Sequence, residues 1–489
     1  MGRVLENLEP KEVFRFFEEL SEIPRPSYKE KEVSDYLVAF AKERGLEYYQ
    51  DELWNVIIIK EASEGYEDQE PVILQGHMDM VCEKLPGVEK DMDKEGLDLV
   101  VEGNFVRAKG TTLGGDDGIA VAYALALLDS DTLKHPRLEF VCTVSEEVGM
   151  EGAQAIDCTP LKGHRLLNMD SEEEGTVLAS CAGGGAAEVK LPVAREESSW
   201  EKVLVHVHGL KGGHSGAEIN KGRAASQDLM GRILRGAAKK TALRLIAFEN
   251  GTKDNAISRE GRLALAVEDK AAFLAALSEI EAEVCAEYVA VDSDIHFDAS
   301  EADGASLPAG VAASCAPLDE ASTKRVIALL SSLPQGVQRM SDNVEGLVET
   351  SLNWGIATLS EKELVMRAAV RSSVKAAKVN LCDRISWIAA ESGASYKLSG
   401  EYPAWEWVRE SKLREKMSSI YRDMFGKELQ IEAIHAGVEC GLLAEKIENM
   451  DAISMGPDIL DIHTPAERLS ISSTQRMYDL IVRIIETKD

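Results

Sequence analysis

Positive charge is what this chain has least of: 54 Lys and Arg stand against 85 Asp and Glu, a formal net charge of −31. That balance repels phosphate backbones and anionic lipid surfaces, and so argues against nucleic acid and membrane as partners. It identifies no substrate, since an acidic surface mainly serves solubility. Long apolar runs are also missing. The longest, IAVAYALALL from Ile119 to Leu128, is about half of the ~20 residues needed to span a bilayer. Disulfide patterning is absent as well. Eight cysteines (Cys82, Cys142, Cys158, Cys181, Cys285, Cys315, Cys382, Cys440) lie far apart with no C-x-x-C pair, and read as reduced, mostly buried thiols. The opening MGRVLENLEP lacks a basic-then-apolar signal pattern, and Glu6 stands where a myristoylation motif wants Ser or Thr. A cytoplasmic address is the default expectation. Internal repeats and low-complexity tracts are lacking too.

What is present suits a folded protein. Apolar residues at 45% and charged residues at 28% exclude disorder and fibrous repeats. A chain of 489 residues exceeds what one core of ~250–300 residues can organise, so two domains are expected. After Pro10, Val13, Phe14, Phe17 and Leu20 recur at helical spacing until Pro24 and Pro26 end the pattern. Short apolar runs then alternate with helical stretches: NVIIIK, PVILQGHMDM, DDGIAVAYALALLDS, RLEFVCTVSEE and RLLNMDSEEEG. This alternation predicts an α/β fold with a mostly parallel sheet flanked by helices. The run Gly183-Gly184-Gly185 and the change of character near Gly400 divide the chain into 1–186, 187–398 and 399–489. The middle segment mixes strands (KVLVHVHGL, ELVMRAAVRSS) with Ala-rich helices. The last carries a helix (SKLREKMSSIYRDMF), a buried strand (MDAISMG) and a closing helix (SSTQRMYDLIVRIIE).

Polar residues of the metal-ligating type fall at equivalent points. His77 and Asp79 follow VILQG, Asp116 and Asp117 sit in LGGDDG at a helix start, Glu146 and Glu147 follow LEFVCTVS, and Asp170 follows RLLNM. Each of the four groups is expected just past the carboxyl end of a parallel strand, where open α/β sheets bind ligands. Each group alone has a plainer reading. An H-x-D pair can be local hydrogen bonding, Glu146-Glu147 a solvated face, and Asp116-Asp117 a helix cap. Recurrence at successive strand ends is what favours a site.

At this point the chain resembles the M20 family of two-zinc peptidases, in its aminoacyl-histidine dipeptidase branch. GHMDMV, TTLGGDDGIA, VSEEVGMEGA, LNMDSEEEG, LKGGHSGAEI, DNAISRE, IHAGVECG and SMGPDILDIHTPAE match that branch in order and spacing, over essentially the whole chain. The resemblance implies two Zn²⁺ per chain, with Mn²⁺ or Co²⁺ as alternatives. His77 and Asp170 would hold one ion, Glu147 and His463 the other, and Asp116 would bridge them. It implies Glu146 as general base and acid, Asp79 as the carboxylate orienting His77, and a cis peptide between Asp116 and Asp117. Zinc accepts such imidazole and carboxylate donors while keeping a position open for water.

The same resemblance makes 1–186 and 399–489 two parts of a catalytic domain and 187–398 an inserted α+β lid. His214 in GGHSG, Asn255 in DNAI, Arg371 in VRSS and Gly437 in HAGVECG would then bind substrate. Arg367 competes with Arg371 for the substrate carboxylate, to which a guanidinium binds bidentately. Glu439 is close enough in sequence to hold a free amino group. His206 and His208 form an H-x-H that reads as the alternation of a strand. Two departures from the branch stand out: Asp117 adds a carboxylate that makes the site more negative, and DIHTPAE replaces a serine after the histidine. The implied activity is hydrolysis of short unblocked peptides, mainly dipeptides including Xaa-His. The alternatives are a tripeptide aminopeptidase, an N-acyl amino acid deacylase, and a catalytically silent metal-stabilised binding protein. The partners expected are a small peptide and, in the subunit arrangement left open, a second copy forming a homodimer.

Overall fold

Runs of branched apolar residues buried on both faces satisfy their backbone in a sheet ladder, and that is what the apolar runs of this chain do. In the computed structural model of the chain, residues 3–302 and 316–489 are described. Cys315 and the first two residues lie outside them, and the seven described cysteines are all free thiols. Among the described residues no helix is long and apolar enough to cross a membrane. The chain forms two compact units. One comprises Met1–Cys181, Trp407–Ala433 and Val438–Asp489, the other Ala182–Glu406 and Ile434–Gly437.

The first unit is built on an eight-stranded sheet in the order Glu47–Gln50, Val56–Lys60, Leu138–Thr143, Val72–His77, Arg165–Asn168, Asp451–Ser454, Thr176–Cys181, Gln430–Ile434. Its four central strands are parallel. Val72–His77 and Leu138–Thr143 are buried at every residue. Outside them the sheet turns antiparallel, as where Glu47–Gln50 pairs with Val56–Lys60. The expectation of a mostly parallel sheet is therefore corrected to a mixed one. The reason is connection length: the five residues between those two edge strands form a hairpin turn, and only helical crossovers return a strand in parallel.

The helix after Pro10 is Lys11–Ser21, with Val13, Phe14, Phe17 and Leu20 all buried. Gly115–Asp129 is apolar on every side, and its residues from Gly115 to Leu128 are buried, as a core helix must be. This helix lies against the central strand so closely that a Cβ on Gly76 would come 2.5 Å from Asp117 Oδ2 and 2.7 Å from the Ala120 Cβ.

The second unit has a nine-stranded sheet whose described pairings are all antiparallel, in the order His296–Glu301, Glu201–His208, Gly261–Val267, Leu243–Asn250, Val348–Leu359, Glu363–Ser372, Gly183–Pro192, Ser395–Tyr402, with Gly336–Met340 beside Val348–Leu359. Val203, Val205 and Val207 turn inward to a core shared with Met230, Phe273, Leu329 and Ile385 from four helices. Of the alternate residues of the same strand, His206 and His208 are partly exposed, while Leu204 is buried in a smaller cluster with Ile246, Ala247, Ala264 and Ala266.

Gly76→Ala is expected to lower stability by about 1–3 kcal/mol through overpacking. A denaturant titration with a shifted midpoint and unchanged slope would report it.

Candidate metal centre

Because the central strands run parallel and in register, with His77 beside Thr143 and Gln75 beside Asn168, their carboxyl ends open at one edge of the first unit. His77 ends its strand, Asp170 follows Asn168, and Glu146 and Glu147 open the short helix Glu146–Gly149. Asp116 sits at the start of the buried helix with non-helical φ/ψ, and its peptide bond to Asp117 is cis. His463 comes from the far end of the chain, on a loop where it adopts a φ of 59°.

These side chains converge. Asp116 Oδ1 is 3.1 Å from His77 Nε2, and its Oδ2 is 3.1 Å from His463 Nε2. Asp170 Oδ1 lies 3.5 Å from His77 Nε2, and Glu147 Oε1 lies 3.0 Å from His463 Nε2. Two triads result, His77–Asp116–Asp170 and Asp116–Glu147–His463, each with its donor atoms within 4.8 Å of one another. Asp116 belongs to both.

The electrostatics show how strongly this cage attracts positive charge. Burial works against a charged His77, yet Asp170, Asp116 and Asp79 outweigh it and hold the ring well above its usual range. Hydrogen bonds with Asp116 and Glu147 push His463 up to about 10. Burial pushes Asp170 up to about 7, while the two imidazoles overcome burial to hold Asp116 below the usual carboxylate range. A proton and a metal ion compete for the same Nε2 lone pairs, so a site that holds the proton this firmly presents the right donors to a divalent ion.

Asp79 is fully buried and organises two ligands together. Its Oδ1 is 3.3 Å from His77 Nδ1, and its two oxygens accept the backbone N–H groups of Glu146 and Glu147 at 3.1 and 3.3 Å. Ser27 Oγ donates to Oδ2 at 2.7 Å. Burial drives the half-buried Glu146 carboxyl well above its ordinary value, against the nearby His77, with Asp170, Glu439 and Glu147 adding to the rise.

Two supports had no signal in local sequence. Glu467, on the segment after His463, accepts from the N–H groups of Leu113, Gly114 and Gly115 at 2.7, 3.1 and 2.8 Å. Arg25, 2% exposed, donates to the carbonyls of Met78, Asp79 and Gly114. Together they fix the glycine turn that presents Asp116. Asp117 does not face the imidazole nitrogens: its Oδ2 accepts the His77 backbone N–H at 3.1 Å. Burial, with Asp170 and Asp116 nearby, holds its carboxyl well above the usual range. Glu439 is also fully buried. Its Oε2 accepts from Gln75 Nε2 at 2.6 Å and Thr143 Oγ1 at 2.7 Å, its Oε1 has no hydrogen bond among the described residues, and burial raises it to about 7.

The remaining candidates lie in the second unit. His214 pairs with Ala256 in a two-stranded ladder, and the Asn255 carbonyl accepts from Ser215 N–H at 2.9 Å. His214 Nδ1 accepts the N–H groups of Gly216 and Ala217 at 3.2 and 3.1 Å, which leaves the ring proton on Nε2. Burial and the Arg371 charge lower its pKa. Arg371 donates to Tyr402 OH at 2.9 Å, whereas the exposed Arg367 pairs with Glu188. Gly437 ends the short segment Ile434–Gly437. His435 on that segment, which sequence reading passed over, bonds Ser351 Oγ through Nε2 at 2.7 Å, and burial lowers it to about 4.

The profile of peptidase family M20/M25/M40 matches residues 73–487. The chain is 36% identical over 485 residues to the cytosol non-specific dipeptidase of Escherichia coli (strain K12), covering 99% of this chain and 98% of that protein. Among solved structures it is similar to the aminoacylhistidine dipeptidase of Vibrio alginolyticus, with a TM-score of 0.93 and 35% identity over 99% of this chain and 98% of that one. Aminopeptidase PepT from Bacillus cereus shares the fold, with a TM-score of 0.54 and 15% identity over 98% of both chains.

Since His463 carries a folded-state value of about 10 against 6.5 for the free ring, its stabilising effect in chelator-treated protein is complete below pH ~6.5 and is lost as pH rises toward 10. Thermal unfolding of the metal-free chain should show that decline, and His463→Gln should reduce it.

Proposed function

The chain belongs to peptidase family M20/M25/M40, and from that premise we propose that it is a cytoplasmic two-zinc dipeptidase hydrolysing short unblocked peptides, Xaa-His dipeptides among them. The observation that carries this reading is the pair of His–carboxylate triads sharing Asp116. His77 and Asp170 would hold one ion, Glu147 and His463 the other, with Asp116 common to both; manganese or cobalt would suit the same donors. When bound, such a pair polarises the scissile carbonyl and lowers the pKa of water toward ~7.

The chain's own residues supply the rest. Glu146 takes a proton from the attacking water and delivers it to the leaving amine. Burial raises its pKa above the ordinary carboxylate value, which favours handing the proton on to the leaving amine. Asp79 fixes the His77 ring through Nδ1 and carries the Glu146-Glu147 backbone, so base and ligand move as one piece. The second unit, which contains all of the expected lid 187–398, serves as the lid of the enzyme, and the first unit as its catalytic domain. There His214 donates from Nε2 to the substrate, Arg371 takes the terminal carboxylate with Asn255 beside it, and Gly437 lets backbone approach. Similarity over the whole length to two dipeptidases supports the substrate class.

Metal analysis joined to a panel of Xaa-His and other dipeptides, tripeptides and N-acetylated amino acids tests the reading. Dipeptides should be cleaved and the acetylated compounds left intact; the reverse would make the enzyme a deacylase. Glu146→Ala should keep its metal while turnover drops by roughly 10²–10⁴-fold. His463→Ala should instead lose metal, and Asp79→Asn should weaken metal affinity by about 10–100-fold.

A further inference from the structure

Three of the chain's nine histidines gather on one face of the second unit's sheet. His206 and His208 alternate along the strand Glu201–His208, and the antiparallel partner His296–Glu301 places His296 directly opposite His208 and Asp298 directly opposite His206. Residues opposite one another in such a ladder share a face, with Cβ atoms about 4.5–5.5 Å apart. The four side chains therefore occupy the corners of one square. The rings of His206 and His208 have centroids 4.7 Å apart, and those of His208 and His296 5.4 Å apart.

We propose that His206, His208, His296 and Asp298 form a second cation site, for a borderline-soft divalent ion of the zinc class. Three imidazoles and one carboxylate are a donor set that zinc accepts in four-coordinate geometry, and one that calcium or magnesium, which prefer oxygen, would not select. Within the set, His208 Nε2 meets Asp298 Oδ2 at 2.9 Å; outside it, carboxylates face the other two rings, Glu260 Oε2 at 3.3 Å from His206 Nε2 and Asp294 Oδ1 at 3.3 Å from His296 Nε2. Such carboxylates orient an imidazole and make its other nitrogen a better donor. They also concentrate negative charge at this corner of an already acidic chain, which draws in cations. The rings are 29%, 31% and 53% exposed, so the rotamer changes that bring them onto one ion disturb no core packing.

The consequence is mechanical. His296–Glu301 is the edge strand of its sheet, and an ion shared across the ladder would clip that edge to its neighbour.

Equilibrium dialysis of the metal-loaded chain against micromolar free zinc, followed by metal analysis, tests the site. The parent should retain one ion per chain more than His208→Gln or His296→Gln, each of which should bind that ion roughly tenfold or more weakly. Both variants should hydrolyse dipeptides as the parent does. Equal zinc uptake by parent and both variants overturns the proposal. So does an additional ion that persists in His208→Gln and disappears in His463→Ala, which would belong to the first unit.

Discussion

Asp116 stands between two imidazoles at the mouth of the parallel strands, and the architecture of the first unit follows from keeping it there. Asp170, Glu147 and Glu146 crowd the same space. Like charges 4 Å apart repel by about 4 kcal/mol at an effective dielectric of ~20, so the cluster is tolerable only with cations interleaved. His77 and His463 fill that place in the chain itself, with their Nε2 atoms within 3.1 Å of the two oxygens of Asp116. The same geometry lifts His463 to about 10 and would offer the same nitrogens to a divalent ion.

Holding that arrangement takes a buried scaffold of hydrogen bonds reaching across the unit. Glu467 gathers three consecutive N–H groups of the glycine turn, Arg25 gathers three carbonyls around it, and Asp79 gathers a ring nitrogen and two N–H groups. Each of these side chains is buried and each is matched by backbone dipoles, which holds the residues of the two triads in place. The second unit follows a different logic. Its sheet is antiparallel and packs helices on one face, while beyond it lie a smaller apolar cluster around Leu204 and partly exposed polar positions such as His206 and His208.

Much of this was legible in the chain. Strands buried on both faces read as unbroken apolar runs, so Val56–Lys60, Val72–His77 and Leu138–Thr143 stand out. The ligand-type residues stand out because they interrupt polarity at the end of each run. Pairing direction was less legible: the antiparallel edges depend on which runs a short turn joins. The direction of the Asp117 carboxyl was not legible either, because sequence records its charge but not that it turns to the His77 backbone.

Sequence by itself determined the local elements and the inventory of donors, because periodicity and turn chemistry act over a few residues. Tertiary structure alone decided the partners. Glu467 is 352 residues from Gly115, Glu439 is 364 from Gln75, and His296 meets His208 only across a ladder. None of these pairs shares a local pattern, because hydrogen bonds and ion pairs are set by distance in space, and the chain returns to a place only once the sheets have formed.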